Sequence, residues 1–334
     1  MKAAFYERQG DASDVLTVGD VPTPDPAPGE VRVRIYVSGL NPTDTKARSG
    51  FSGPMAFPKI VPHQDGAGVI DAVGDGVSVS RIGERVWIYE AQYRRATGTA
   101  AEFVVVPEAN AVSLPDHVSF ETGASLGIAA LTAHRCLFAD GDIKGRRVLV
   151  HGGAGAVGTA AILLAKWAGA WVVATITREV QRDIAFAAGA DLVLNIREDD
   201  VAGALKDATH DQGVDRIVEV NVSANLALDL AVLAPSGVIS AYATQKASDV
   251  LELPILKAMV AGAVFRFVFV YTVPADAKRA AVDAVAACIA SGVYRPHVGL
   301  EVPLDEIAKA HQVQDDGSVI GKILVKVADE PRGA

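Results

Sequence analysis

Glycines at 152, 153, 155 and 158 follow directly on an apolar run in VLVHGGAGAVG at 148–158, a spacing suited to chemistry done by backbone rather than by side chains. Val148 to Val150 read as a buried strand and Ala156 to Ala168 as a packed helix, so the glycines lie at a strand-to-helix turn. Gly152 permits the tight turn, Gly155 lets backbone approach a pyrophosphate, and Gly158 lets the helix close on the strand. The first helical N–H groups, at Ala156 and Val157, then face the phosphates with the partial positive charge of the helix N-terminus. Taken alone, the same residues also fit a Gly-rich turn that binds nothing.

The elements around the turn favour the dinucleotide. Apolar, β-rich runs recur at 171–176, 192–196, 215–220, 237–242 and 264–271, with helix-like stretches between most of them. Strand and helix in alternation predict a parallel sheet covered on both faces. Six such strands with the glycine turn after the first predict an α/β, doubly wound dinucleotide-binding fold.

The first part of the chain has another texture. Short strand-like runs such as EVRVRIYVSG at 30–39 are separated by turn chemistry such as PDPAPGE at 24–30, which predicts an antiparallel or barrel-like β domain. The expected organisation is a β-rich catalytic domain at 1–125, a nucleotide-binding domain at 126–271 and a return to the catalytic domain at 272–334. A substrate cleft is expected between the two. The most apolar segment, 253–274, is broken by Lys257, Gly262 and Arg266 and reads as a buried helix and strand.

Bulk properties narrow the function classes. A chain of 334 residues, half of them hydrophobic, is long enough for two cores. A net charge of −9 speaks against nucleic-acid and anionic-membrane partners, which need a basic face. Two cysteines, Cys136 and Cys288, cannot make a disulfide framework or a four-thiolate site, which suits a reduced, cytoplasmic setting. No stretch reaches about 18 uninterrupted apolar residues, so no membrane span is expected.

With SGLNPTDTKARSG at 38–50, PHQDGAGVIDAVGDGV at 62–77, GERVW at 83–87, LTAHR at 131–135, the glycine turn, GVDRIVEVNVSANL at 213–226, PLDEIAKAH at 303–311 and GKILVKV at 321–327 in view, the chain resembles the medium-chain dehydrogenase/reductase superfamily. Within it, the chain is similar to the zinc-free quinone oxidoreductases related to zeta-crystallin. The resemblance runs nearly end to end. It implies a GroES-like catalytic domain interrupted by a Rossmann domain, and an NADPH-dependent reductase of quinones. Two alternatives stay open: reduction of α,β-unsaturated aldehydes or ketones, and a structural or RNA-associated protein that binds NADPH without turning over a substrate.

Zinc enzymes of the superfamily place a Cys and a His where this chain carries Asn41 and Gln64. Catalytic zinc needs about three Cys, His or carboxylate ligands, so no metal is expected; His63, one place away, reads as a loop or cleft histidine. The resemblance puts Asn41 and Asp44 near a nicotinamide, with Lys46 and Arg48 close by in sequence. Asn41-Pro42-Thr43-Asp44 also reads simply as a capped helix start. Thr132 either faces the nicotinamide or is a plain helix threonine. Relatives often carry a tyrosine near Phe51 and Ser52; none stands here, which leaves water as a proton source, or no tightly held donor at all for a quinone, and Phe51 as a ring that could stack on a flat acceptor.

The end of the second parallel strand carries no acid to accept the ribose hydroxyls of NAD. Thr175, Thr177 and Arg178 stand there instead, which predicts NADPH, with Arg178 as the phosphate ligand and Arg182 and Arg197 as weaker candidates. Arg178 also reads as an exposed residue of the next helix. Asn221, Ala241 and Tyr242 end parallel strands, so their backbone should border the ribose and nicotinamide. Trp167 and Trp171 read as core packing. VFRFVFVY at 264–271 is expected to be an open sheet edge, and related enzymes join two sheets through it, which predicts a homodimer.

Overall fold

Period-two alternation of apolar residues builds strands in the first part of the chain, and continuous apolar runs build them in the middle. The computed structural model describes residues 1–330. In chain order its strands are β1 (Lys2–Phe5), β2 (Thr17–Asp20), β3 (Glu30–Leu40), β4 (Asp65–Val73), β5 (Arg85–Ile88), β6 (Phe103–Pro107) and β7 (Ala111–Ser113), then β8 (Arg147–Val150), β9 (Trp171–Ile176), β10 (Leu192–Asn195), β11 (Val214–Glu219), β12 (Leu233–Ala241) and β13 (Val264–Phe267), and finally β14 (Val298–Pro303) and β15 (Lys322–Lys326). Among the described residues, 1–129 with 298–330 form one compact unit and Ala130–His297 form a second.

In the first unit, β1 and β2 pair with each other, and a larger sheet runs β14-β15-β3-β4-β5-β7 with β6 added on β3. Its pairs are antiparallel except β14 with β15. The long β3 shows how the alternation works: Val31, Val33 and Ile35 are buried, while Arg32 and Arg34 between them are not. β15 lies against β3, with Leu324 opposite Gly39, so the final strand completes a sheet begun near the N-terminus.

The second unit is a six-stranded, wholly parallel sheet in the order β10-β9-β8-β11-β12-β13. Its central strands bury Leu149, Val173, Ile217 and Ile239 completely. The order reverses between β8 and β11, and open sheets of this kind receive ligands outside the carboxyl ends of the strands at such a switch point. The unit extends beyond the expected limit at residue 271. The helix Ala275–Ala290 has a single apolar stripe, Ala281, Val285, Cys288 and Ile289, which it buries against the helix Ala156–Trp167.

The segment 253–274 is a correction. Its helix, Ile255–Ala261, has no buried residue, and Leu256, Met259 and Val260 are at least 70 % exposed. β13 stops at Phe267, followed by a single turn at Val270–Thr272, and Phe267 and Phe269 stay open to solvent. Apolar character alone cannot bury the last strand of a sheet, because that strand has a neighbour on one side only. Trp167 is likewise 39 % exposed rather than core. No helix among the described residues is long and apolar enough to cross a membrane.

Candidate functional sites

In the first unit the chemistry gathers around Asp65, the first residue of β4. Its Oδ2 accepts from Lys322 Nζ at 3.0 Å and from Asn41 Nδ2 at 2.8 Å, and its Oδ1 accepts from the Ile128 amide at 2.9 Å. Lys322 also donates to Asn41 Oδ1 at 2.8 Å, which closes a three-membered ring of hydrogen bonds. Asp65, Asn41 and Lys322 are at most 2 % exposed. Ile128 lies in the first turn of the helix Gly127–Phe138, so an N-terminal amide and its dipole add to the positive side of the cluster. A Cβ on Gly127 would fall 1.9 Å from Asp65 Oδ1, so only glycine lets this helix reach the carboxylate.

Asn41 precedes the helix Pro42–Ser49, and its backbone N–H donates to Asp44 Oδ2 at 2.8 Å, half of a capping box. The capped-helix reading and the buried-amide geometry therefore hold together: the turn fixes Asn41 while its side chain faces Asp65 and Lys322. Burial pushes the Asp44 carboxyl up to about 8, with the Asn41 N–H opposing the rise and the Asp65 charge adding to it. Burial thus favours the protonated form of Asp44, and its Oδ1 has no hydrogen-bond partner.

Other residues of this unit fall elsewhere. Phe51 is half-buried, with Lys46 Nζ 4.6 Å from its ring centre, so one face of the ring is covered by a cation. Arg48 is 1 % exposed and ties the Gly10 carbonyl to Asp315, a structural clamp rather than a group open to substrate. Gln64 donates to Gln92 at 3.1 Å. His63 is a loop histidine, in the segment just before β4, and it is fully buried, with Nδ1 2.8 Å from Ser38 Oγ and Nε2 3.0 Å from His311 Nε2. Two imidazoles facing through one hydrogen bond must share a single proton. Burial drives both well down, His311 to about 3.

In the second unit the glycine turn has the expected form. Gly152 takes φ of 67°, and a Cβ on Gly158 would lie 2.2 Å from the Gly152 carbonyl oxygen. Gly155 is different: its backbone is ordinary, and a Cβ would meet only Gly152 O, at 3.3 Å. Packing within the chain thus gives little reason for glycine at this exposed position, whereas a closely approaching ligand does. Gly155 precedes the helix Ala156–Trp167, no side chain caps that helix, and Ala156 and Val157 are partly open. These features fit a pyrophosphate.

After β9 the hydroxyls part company. Thr177 and Arg178 are exposed, and Gln181 Oε1 pins both of their amides, at 2.9 and 3.0 Å. Thr175 is 2 % exposed, with Oγ1 2.9 Å from His151 Nδ1, so its hydroxyl is held inside the fold instead of facing a phosphate. Arg182 pairs with Glu179 and the Val193 carbonyl; Arg197 is exposed. Thr132 is 5 % exposed on the helix Gly127–Phe138. The Asn221 amide is taken by Glu219 Oε1, the Tyr242 amide by Glu219 O at 3.1 Å, and the Ala241 carbonyl by Val268 N at 2.8 Å. Those three backbone groups are engaged at the carboxyl ends of the sheet strands.

Sequence reasoning missed two charged clusters. Lys322 shares its pleat face with the fully buried Leu324, a period-two signal of a buried lysine. His151, Glu219 and Asp229 lie together at 0–1 % exposure, their ligand-type atoms within 4.8 Å of one another. Asp229 sits on the stripe Val222, Leu226, Asp229 of the helix Val222–Val232, where helical spacing places an acid among buried apolar residues.

Residues 27–116 match the alcohol dehydrogenase GroES-like domain, and residues 156–287 match the family described as zinc-binding dehydrogenase. The quinone oxidoreductase of Rattus norvegicus is 31 % identical over 309 residues, covering 92 % of each chain. A solved NAD-dependent alcohol dehydrogenase superposes with a TM-score of 0.88 at 30 % identity, over 98 % of this chain and 100 % of its own. The Escherichia coli quinone oxidoreductase in complex with NADPH superposes with a TM-score of 0.84 at 25 % identity, over 98 % and 100 %.

Two outcomes are expected from the first unit. Lys322→Met should destabilise the protein by about 3–5 kcal/mol, since it leaves the Asp65 carboxylate buried without its cation, and adding Asp65→Asn should recover part of that loss in denaturant unfolding. For the histidine pair, the unfolded chain takes up protons near 6.5 whereas folded His311 does so only near about 3. Its contribution to stability is therefore full above 6.5 and lost as pH falls towards 3. Replacing the pair by His63→Gln and His311→Gln should flatten the acid limb of a pH-denaturation curve.

Proposed function

The chain belongs to the quinone oxidoreductase family of the medium-chain dehydrogenase/reductase superfamily, and from that premise we propose that it is an NADPH-dependent reductase of quinones that needs no metal. The observation that carries the cofactor choice is the pairing of an uncapped, glycine-led helix N-terminus with a β9 end that bears Thr177 and Arg178 and no acid. A carboxylate there would repel a 2′-phosphate; a guanidinium attracts it bidentately.

Bound NADPH supplies a hydride equivalent, and a quinone is electron-poor enough to accept it without a Lewis acid. The positions that hold thiolate and imidazole in the zinc enzymes carry the amides of Asn41 and Gln64, which are poor zinc ligands. The tasks left to this chain are to orient, to exclude water and to stabilise an oxyanion. Asn41 has two amide hydrogens and gives one to Asp65, so one donor remains for an acceptor oxygen. Asp44 and the Lys322–Asp65 pair hold that amide in place. Phe51 offers an apolar face to a flat ring, and Thr132 is assigned to the nicotinamide side. The buried free thiols Cys136 and Cys288 suit a reducing cytoplasm.

A homodimer is part of the same proposal. β13 is an open edge, and Phe267, Phe269, Leu256, Met259 and Val260 form an apolar surface beside it that a second copy would cover.

The deciding experiment is steady-state oxidation of NADPH and of NADH against 1,4-benzoquinone, a larger ortho-quinone and a short 2-alkenal, with and without a chelator. Chelator-insensitive turnover, fastest with NADPH and a quinone, is expected. Turnover of the alkenal alone would replace the substrate, and binding without turnover would favour a structural or sensing role. Arg178→Gln should raise the NADPH KM by about tenfold or more, for a charge-assisted contact of roughly 1.5–3 kcal/mol, and leave the NADH KM unchanged. Phe267→Glu should halve the mass seen by light scattering; a wild-type monomer at micromolar concentration would remove the dimer.

A further inference from the structure

The buried cluster beneath the glycine turn has no part in the chemistry described so far. His151 is the residue just before Gly152. Its backbone N–H donates to Val218 O at 3.0 Å, its Nδ1 lies 2.9 Å from Thr175 Oγ1, and its Nε2 lies 2.9 Å from Asp229 Oδ1 and 3.4 Å from Glu219 Oε2. Glu219 also takes the Asn221 amide, and Asn225 Nδ2 at 3.0 Å, while its own carbonyl takes the Tyr242 amide. One ring of side chains thus ties together the ends of β8, β9 and β11, the start of the helix Val222–Val232 and the residue after β12. These are the carboxyl ends of the sheet, where a doubly wound fold binds its ligand.

We propose that His151, Glu219 and Asp229 are positioning residues that hold the glycine turn in its nucleotide-receiving form by sharing a proton among them.

Two carboxylates this close, at 0 % exposure, cannot both carry charge at low cost beside a neutral imidazole. With a proton held between them, His151 Nε2–H donates to Asp229 Oδ1 and Thr175 Oγ–H donates to Nδ1. Both carboxyls are pushed up to about 7, chiefly by burial, and burial lowers His151 against the pull of Glu219. The other titratable groups facing this ring are the Tyr242 hydroxyl and, beside it, the Cys136 thiol, both held protonated by burial. No amide, hydroxyl or other N–H outside the shared proton donates to Asp229 Oδ2, so a second negative charge finds no donor there. Loss of the proton therefore loosens the contacts of His151 and, through them, the turn that begins one residue later.

The proposal rests on nucleotide binding at this turn, so the test reads the turn both with and without NADPH. Hydrogen exchange of the 150–158 amides in the nucleotide-free protein, corrected for the intrinsic pH effect, should show protection falling as pH rises from about 6 to about 9 in the wild type and unchanged in the double variant Glu219→Gln with Asp229→Asn, which keeps both acceptors and removes both titrations. NADPH affinity from fluorescence titration should fall by about tenfold over the same range in the wild type, and by less than about twofold in the double variant, with kcat following neither change. Parallel exchange and affinity profiles in the two proteins would overturn the assignment. So would one equivalent of tightly bound divalent metal that Asp229→Asn releases, because a metal and not a proton would then hold the ring. If NADPH failed to bind at any pH while exchange still followed pH as expected, nucleotide binding would fall and the proton-held turn would stand.

Discussion

A charge removed from water must find its partner inside the fold, and the Lys322–Asp65 pair shows how much structure that requirement organises. An unpaired buried ammonium or carboxylate costs several kcal/mol, so β15, which brings Lys322, has to lie within reach of β4, which brings Asp65. The Asn41 amide closes the ring, and the N-terminal amide of the helix Gly127–Phe138 completes it. Three separated stretches of chain are thereby fixed to one carboxylate on a fourth. The turn at Asn41-Pro42-Thr43-Asp44 inherits its position from that ring.

The second unit obeys the same constraint with different chemistry. Its buried acids, Glu219 and Asp229, face no ammonium or guanidinium in the way Asp65 does; they face each other and His151. A shared proton takes the place of the cation. Meanwhile the ligand-facing surface above is almost free of side chains: glycines, exposed amides and a helix N-terminus. The division is physically sensible, since backbone dipoles can meet a dianionic pyrophosphate without strong desolvation of their own, provided something below keeps them still.

The two layers also differ in how they tolerate change. Glycine positions of the turn are shaped by what a Cβ would strike, as at Gly158, whereas buried polar positions are shaped by what a lost partner would leave behind, as at Asp65 and His311. The exposed aromatic strip at Phe267 and Phe269 follows neither rule inside one chain, and it is the surface that the proposed second copy would cover.

The sequence by itself determined most of the elements and the glycine turn, because helix and strand periodicity, glycine spacing and the missing acid after β9 are local properties read within a few residues. It also marked Asn41 and Asp44, since capping chemistry is local too. What only the tertiary structure decided was which polar groups meet. Asn41 and Lys322 are 281 residues apart, His63 and His311 are 248 apart, and His151 and Asp229 are 78 apart. No periodicity links such positions. Thr175 looked like a phosphate ligand from its place at a strand end, and the pleat turned it inward to His151; 253–274 looked buried from its apolar composition, and its place at the sheet edge left the helix Ile255–Ala261, Phe267 and Phe269 open while Val268, Val270 and Tyr271 are buried. In each case burial was set by neighbours that arrive from elsewhere in the chain, and a pattern of residues cannot contain that information until the strands have been put in order.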